Sequence, residues 1–151
     1  MKDHLFQLTP SKHAAIYTKI ENYESRFSPG SKFEYSNSNY YLLGGIIEKV
    51  TKKSFAENLQ ERIVKKADLK NTYYKTSTTD ASVKESYSYT FNEKWEATPE
   101  WKNETAFSAG AIISNPADLT RFMRNLFTEK LITKKSLDIM TDLKDGYGAG
   151  L

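Results

Sequence analysis

Apolar side chains recur along this chain every three or four positions in several blocks, the period of a helix that buries one face. In the first block Ile16, Ile20, Tyr23 and Phe27 follow Thr9-Pro10 and precede Ser28-Pro29-Gly30. This pattern predicts a helix from Pro10 to that turn, because proline at the first helical position gives up an N–H that would lack a partner anyway. A second helix is predicted over about 40–50, with Tyr40, Leu43, Ile47 and Val50 on one face. Gly44 and Gly45 in its middle cost about 1 kcal/mol each relative to alanine, so a neighbour is expected to pack closely there. Ser54-Phe-Ala-Glu57 is a capping-box pattern and opens a third helix through Phe55, Leu59 and Ile63. A fourth begins at Asn115-Pro116-Ala-Asp118 and carries Leu119, Phe122, Met123, Leu126 and Phe127. A fifth starts near Thr133, with Ile132 and Leu137 placed as a hydrophobic staple, and runs through Met140.

Between about Asn71 and Trp101 the period changes. "SYSYTF" alternates polar and aromatic residues, so Tyr87, Tyr89 and Phe91 are expected to share one face of a short strand. The chain around Trp95, Pro99 and Trp101 is polar and reads as an ordered excursion or lid. "DGYGAGL" at the end reads as a strand or turn. The fold class expected is mainly α, with a short β or irregular excursion.

The 151 residues, 38% hydrophobic and 27% charged, are enough for one domain with its own core and show no composition break. A net charge of +3 divided among 22 basic and 19 acidic residues provides little steering field. Lys52-Lys53, Lys65-Lys66 and Lys134-Lys135 read as solvated helix surface, and no nucleic-acid partner is expected. The absence of cysteine excludes disulfides, thiolate zinc sites and a thiol nucleophile. His4 and His13 have no carboxylate cluster at metal-ligand spacing, so both are read as surface residues and neither metal nor cofactor is expected. No apolar run reaches the roughly 20 residues of a membrane-spanning helix.

The stretch "PGSKFEYSNSNYYLLGGII", residues 29–47, sets Tyr35, Ser36 and Asn37 directly before an apolar helix. One reading is capping, with Asn37, Ser38 or Asn39 accepting a backbone N–H of that helix. The other is an active-site motif. The surrounding sequence favours the second, because it resembles the serine β-lactamase and penicillin-binding protein superfamily in the branch of class C β-lactamases, D-alanyl-D-alanine carboxypeptidases and related esterases. There a Pro-Gly turn precedes Tyr-x-Asn and a helix of this pattern. "LKNTYY" is similar to the family's "GMKNTYY", "SAGAIISNPADLTRFMRNLF" to its glycine-rich segment and following helix, and "GYGAGL" to its later Tyr-Gly-x-Gly strand. The blocks fall in the family's order and cover most of the chain.

The resemblance implies acyl transfer to a serine, a weak nucleophile at neutral pH that needs a neighbour to take its proton. It implies proton transfer by Tyr35 and substrate positioning by Asn37. It also implies a β-lactam, D-alanyl peptide or ester substrate and a protein of the bacterial envelope. Two family elements are missing: no serine lies three places before any lysine, and neither Lys-Thr-Gly nor His-x-Gly occurs. Lys52 and Asp68 stand where the family places glycine. The chain is therefore expected to be the helical lobe of the fold, cut at both ends and inactive alone. Its partner would be the α/β lobe of the same protein, and an uncovered apolar face would invite self-association. A naturally short binding or regulatory module, and an unrelated helical module binding sugar or peptide through Trp95 and Trp101, are the alternatives. Asp118 is read as a helix-start residue, the Asn103-Glu-Thr105 sequon as a chance match, and Ser108 and Ser114 as non-catalytic.

Overall fold

The computed structural model describes residues 13–75, 85–97, 106–144 and 146–150. Helices dominate it: α1 (His13–Glu21), α2 (Asn37–Thr51), α3 (Phe55–Leu59), α4 (Lys65–Ala67), α5 (Pro116–Phe127) and α6 (Lys134–Thr141). A π-helical turn, Gln60–Val64, joins α3 to α4, so the predicted third helix is one continuous coil with a wide turn in it. The strands are short. β1 (Tyr73–Tyr74) pairs antiparallel with β4 (Ile112–Ile113), and β2 (Tyr89–Asn92) forms a hairpin with β3 (Lys94–Ala97).

Caps fix most of the helix starts. Ser54 and Glu57 form the predicted reciprocal box at α3, Asn115 caps α5 ahead of Pro116, and Thr133 caps α6. The first helix departs from its pattern: it ends at Glu21, and Tyr23 and Phe27 lie beyond it. Asn22 explains the early stop, since both its amide side chain and its backbone N–H bond the Thr18 carbonyl. Ser28 and Ser31 then close a turn through Pro29-Gly30.

The core has two linked parts. Ile16, Tyr41 and Phe107 are fully buried together, with Tyr17, Ile20 and Phe55 against them. Leu59, Val64, Ala67 and Leu69 form the second part, with Phe122 and Leu131 packed on it, and Tyr74 touches both. α2 enters this core by an unexpected face. Ser38, Tyr41 and Gly44 are its buried residues, whereas Leu43, Ile47 and Val50 of the predicted face are exposed. The glycines do receive close neighbours. A Cβ on Gly44 would lie 2.1 Å from Ser108 Oγ and 2.6 Å from the Phe107 ring, and one on Gly45 would lie 2.1 Å from the Tyr17 hydroxyl. A 3-10 turn, Phe107–Ala109, thus seats directly on the helix backbone, and Ser108 Oγ donates to the Tyr40 carbonyl at 2.7 Å. Phe107 holds a left-handed φ of 41° there, a strained conformation kept by the packing of its ring.

Lys52 and Asp68 adopt left-handed φ values of 57° and 55°, so the helix ends keep the geometry of a glycine cap without the glycine. His13 is exposed, as expected, yet it is not isolated. Its Nδ1 lies 2.8 Å from the Tyr41 hydroxyl and its ring packs edge-on against Phe107. Burial pushes the Tyr41 phenol far above its ordinary value, so it stays protonated. Asp118 does more than begin a helix. It is 2% exposed and accepts from the Asn71 N–H at 2.6 Å and the Thr72 hydroxyl at 2.9 Å, which ties α5 to the segment before β1. Burial opposes its charge, but those donors outweigh the burial and hold the carboxyl below the usual range.

The hairpin carries Tyr89, Phe91 and Trp95 on exposed surface, with Phe91 opposite Trp95 and their rings 5.3 Å apart. Tyr87 precedes the strand rather than joining it. Lys75 and Glu85 form a buried ion pair, and the Tyr73 hydroxyl donates to the same carboxylate. Trp101, the sequon at Asn103, Pro99 and His4 lie outside the described residues. Among the described residues no helix is long and apolar enough to cross a membrane, and no three His, Asp or Glu side chains cluster as metal ligands would.

Candidate active site

The site is built at the N-terminus of α2. Ser36 is the cap, not Asn37, Ser38 or Asn39: its backbone is extended and its hydroxyl accepts from the Ser38 N–H at 3.1 Å. The helix therefore starts about one turn earlier than its apolar period indicates, and Asn37 is its first helical residue. A run of Ser-Asn-Ser-Asn offers four capping side chains in succession, and hydropathy alone does not choose among them.

This cap brings Tyr35 and Asn37 together. Tyr35 stands one residue outside the helix, half exposed, and its phenol donates across Ser36 to Asn37 Oδ1 at 3.0 Å. Among the described residues that is the only hydrogen bond of the Tyr35 hydroxyl. The positive end of the α2 dipole lies at the same place and favours negative charge developing there. An exposed phenol and an amide at a helix N-terminus can pass a proton and orient a polar group together.

The aromatic surroundings of Tyr35 come from both near and distant sequence. Its ring lies 5.6 Å from that of Tyr40 and 6.5 Å from that of Tyr147, and Tyr147 stacks on Phe33 at 4.6 Å. "GYGAGL" thus contributes a ring beside the motif, held by a Lys144–Tyr147 bridge rather than by a full strand. Tyr147 was not among the residues that sequence reading selected, and its place in that glycine-rich block was the available signal. Behind Tyr35 a hollow of about 450 Å³ is lined by Ile20 of α1, by Pro29, and by Tyr23 and Phe27, the periodic residues that the short α1 releases. Arg26 and Lys32 pair with Glu34 next to Tyr35, and the Arg26 hydrogen bond first of all holds that carboxyl below its ordinary range.

Ser108 and Ser114 are committed elsewhere. Ser108 Oγ is bound to the backbone of α2, and Ser114 Oγ lies 2.8 Å from the Thr72 hydroxyl.

Comparison with known proteins gives this geometry a family. A D-stereospecific amidohydrolase from Streptomyces shares the fold at a TM-score of 0.83 and 27% identity, over 97% of this chain and 46% of that one. The D-amino acid amidase of Ochrobactrum anthropi SV3, solved with D-phenylalanine, gives a TM-score of 0.79 at 24% identity over 93% of this chain and 44% of its own. Protein flp of Staphylococcus aureus strain MW2 is 44% identical over 52 residues, 34% of this chain and 10% of flp. The chain thus spans less than half of each solved structure and a tenth of the curated relative. The helical framework described above is the part of the β-lactamase-like fold that those structures share with it. Since the family model named Beta-lactamase matches residues 2–148, nearly the whole sequence, the chain belongs to the β-lactamase family.

Proposed function

We propose that the whole protein containing this chain is a serine hydrolase that acts through an acyl-enzyme on D-alanyl peptides, D-amino-acid amides, esters or β-lactams. The observation that carries this reading is the Tyr35–Asn37 hydrogen bond at the head of α2, in a chain whose family match runs from residue 2 to 148. Only as the phenolate, with its own proton given up beforehand to a base of the intact site, does Tyr35 take the proton of the attacking serine hydroxyl, which it then returns to the departing amine or alcohol. The serine oxygen bonds the substrate carbonyl carbon as the scissile bond breaks, and water later releases the acid. Asn37 holds the substrate amide. The nucleophile and the lysine beside it belong to parts of the fold outside this chain, which contains no Ser-x-x-Lys. Two solved relatives described as D-amino acid amidase and D-stereospecific amidohydrolase support amides of D-amino acids as a substrate class.

Acylation of the whole protein by a labelled penicillin, followed in a single turnover, tests the assignment. Tyr35→Phe is expected to slow it about 100- to 10,000-fold while the melting temperature holds; an unchanged rate removes Tyr35 from the mechanism. The isolated chain is expected to form no covalent adduct, and a stable adduct would mean that it carries its own nucleophile. Hydrolysis of D- over L-phenylalanine amide checks the substrate class, with equal rates overturning it. The bacterial envelope is the proposed site of action. Protease added to intact cells should degrade the protein, and protection from it would place the protein inside.

A further inference from the structure

We propose that the groove between α4 and α5 is a docking site for a linear polyphosphate chain, separate from the Tyr35 site. The groove encloses about 590 Å³, and its walls carry Lys66 and Asp68 on one side, Thr120, Arg121 and Arg124 of α5 on the other, and Lys130 beyond them. Four cations against one carboxylate leave this groove with +3, as much as the formal net charge of the whole chain.

The concentration is a product of folding. Ala117, Thr120, Arg121 and Arg124 recur at three- and four-residue spacing and so share one face of α5. Asp118 and Leu126, which are buried, anchor the helix so that this basic face overlooks the end of α4. Lys66 faces it from there, and the Lys130 N–H is fixed to the Asn125 carbonyl at 3.0 Å.

The carboxylate does not neutralise the groove. Asp68 is bound by Arg121 at 3.1 Å and by Lys70, whose hydrogen bond first of all keeps the carboxyl below its ordinary range and therefore charged. Lys66, Arg124 and Lys130 have no acidic partner among the described residues. Gathering like charges costs self-repulsion, and an anion bridging the two walls relieves it.

The lining selects the kind of anion. No aromatic ring lies in the groove on which a base could stack, so recognition is confined to the backbone charges of a polymer. Leu119, Met123 and Phe127 are exposed on the neighbouring face of α5, which makes an anionic bilayer the competing occupant. Those three side chains, however, do not line the groove, so its cations are presented without the apolar anchor that a bilayer would engage.

The test is titration of the purified protein with long-chain inorganic polyphosphate, with single-stranded DNA and phosphatidylglycerol vesicles as comparisons. Polyphosphate is expected to bind, and raising salt from 50 to 200 mM should weaken it about 20- to 40-fold for about three neutralised charges. Lys66→Glu with Arg124→Glu should weaken binding about tenfold or more. Lys19→Glu with Lys135→Glu changes net charge equally outside the groove and should leave affinity within about twofold. Lys66→Gln with Arg124→Gln provides a milder pair whose folding is checked by melting temperature. Equal loss in the two Glu pairs would reduce the effect to net charge and overturn the site. Binding to vesicles without binding to polyphosphate would overturn it in favour of a membrane surface. Preference for DNA over polyphosphate by about tenfold would mean that bases are read, and no binding to any probe would also overturn it.

Discussion

Helix α2 presents two faces with opposite fates. On one, Ser38, Tyr41 and Gly44 are buried; on the other, Leu43, Ile46 and Val50 are 51%, 54% and 76% exposed. By hydropathy alone the assignment would be reversed. The buried face wins because small residues let Phe107 and Ser108 approach the helix backbone and because Tyr41 places its ring among Ile16, Phe107 and His13. Close packing across a small residue gains more dispersion contacts than a row of branched side chains left largely exposed among the described residues. The exposed row belongs to a chain that spans under half of the solved structures it matches. It is the larger liability for self-association.

The contrast can be broken most strongly at Gly44. Alanine there would gain about 1 kcal/mol of helix propensity, yet its Cβ would collide with Ser108 and Phe107, and overpacking of this kind costs about 1–3 kcal/mol. Denaturant unfolding of Gly44→Ala is expected to show net destabilisation of up to about 2 kcal/mol. A stabilised variant would mean that the 3-10 turn yields easily.

Acid provides a second test of the buried contacts. The Asp118 carboxyl is depressed in the folded chain, so its contribution is complete above the ordinary aspartate value of 3.8 and is lost as pH falls through the lower folded value. Unfolding midpoints should therefore fall as pH drops below about 4. Asp118→Asn should lower stability at neutral pH and flatten that acid limb, and an unchanged limb would assign the acid sensitivity to other carboxylates.

Tyr41→Phe removes only the hydroxyl that meets His13 and should cost about 1 kcal/mol in the same unfolding assay, with no effect expected at the exposed face. The smallest change belongs to that face. Val50→Ser should shift stability by no more than about 0.5 kcal/mol, while sedimentation shows less self-association of the isolated chain. A loss comparable to that at Gly44 would show that the outer face is packed in solution after all.

Several local features were legible from neighbouring residues. The capping box at Ser54, the Asn115-Pro116 start of α5 and the Thr133 start of α6 each depend on groups within one turn of each other, and all three occur as read. The crowding at Gly44 and Gly45 was also legible, because two glycines in a helix need a reason. What crowds them was not, since Tyr17 and Ser108 are remote in sequence. The first helix was overextended because Tyr23 and Phe27 keep the helical period while serving the hollow behind Tyr35. The pairing of Tyr35 with Asn37 lay within a three-residue motif, but its geometry depended on which of four polar residues took the cap.

The sequence by itself determined that the chain is mainly helical, the starts of α3, α5 and α6 and the order of the family blocks, and it nominated the two residues of the candidate site, because each rests on residues near one another in the chain. Only the tertiary structure decided which face of α2 is buried, that Asp118 binds the segment before β1, that Tyr147 stands beside Tyr35, and that cations from α4 and α5 share one groove. Those outcomes depend on which distant surfaces meet, and burial and charge density are properties of the meeting and not of either surface alone.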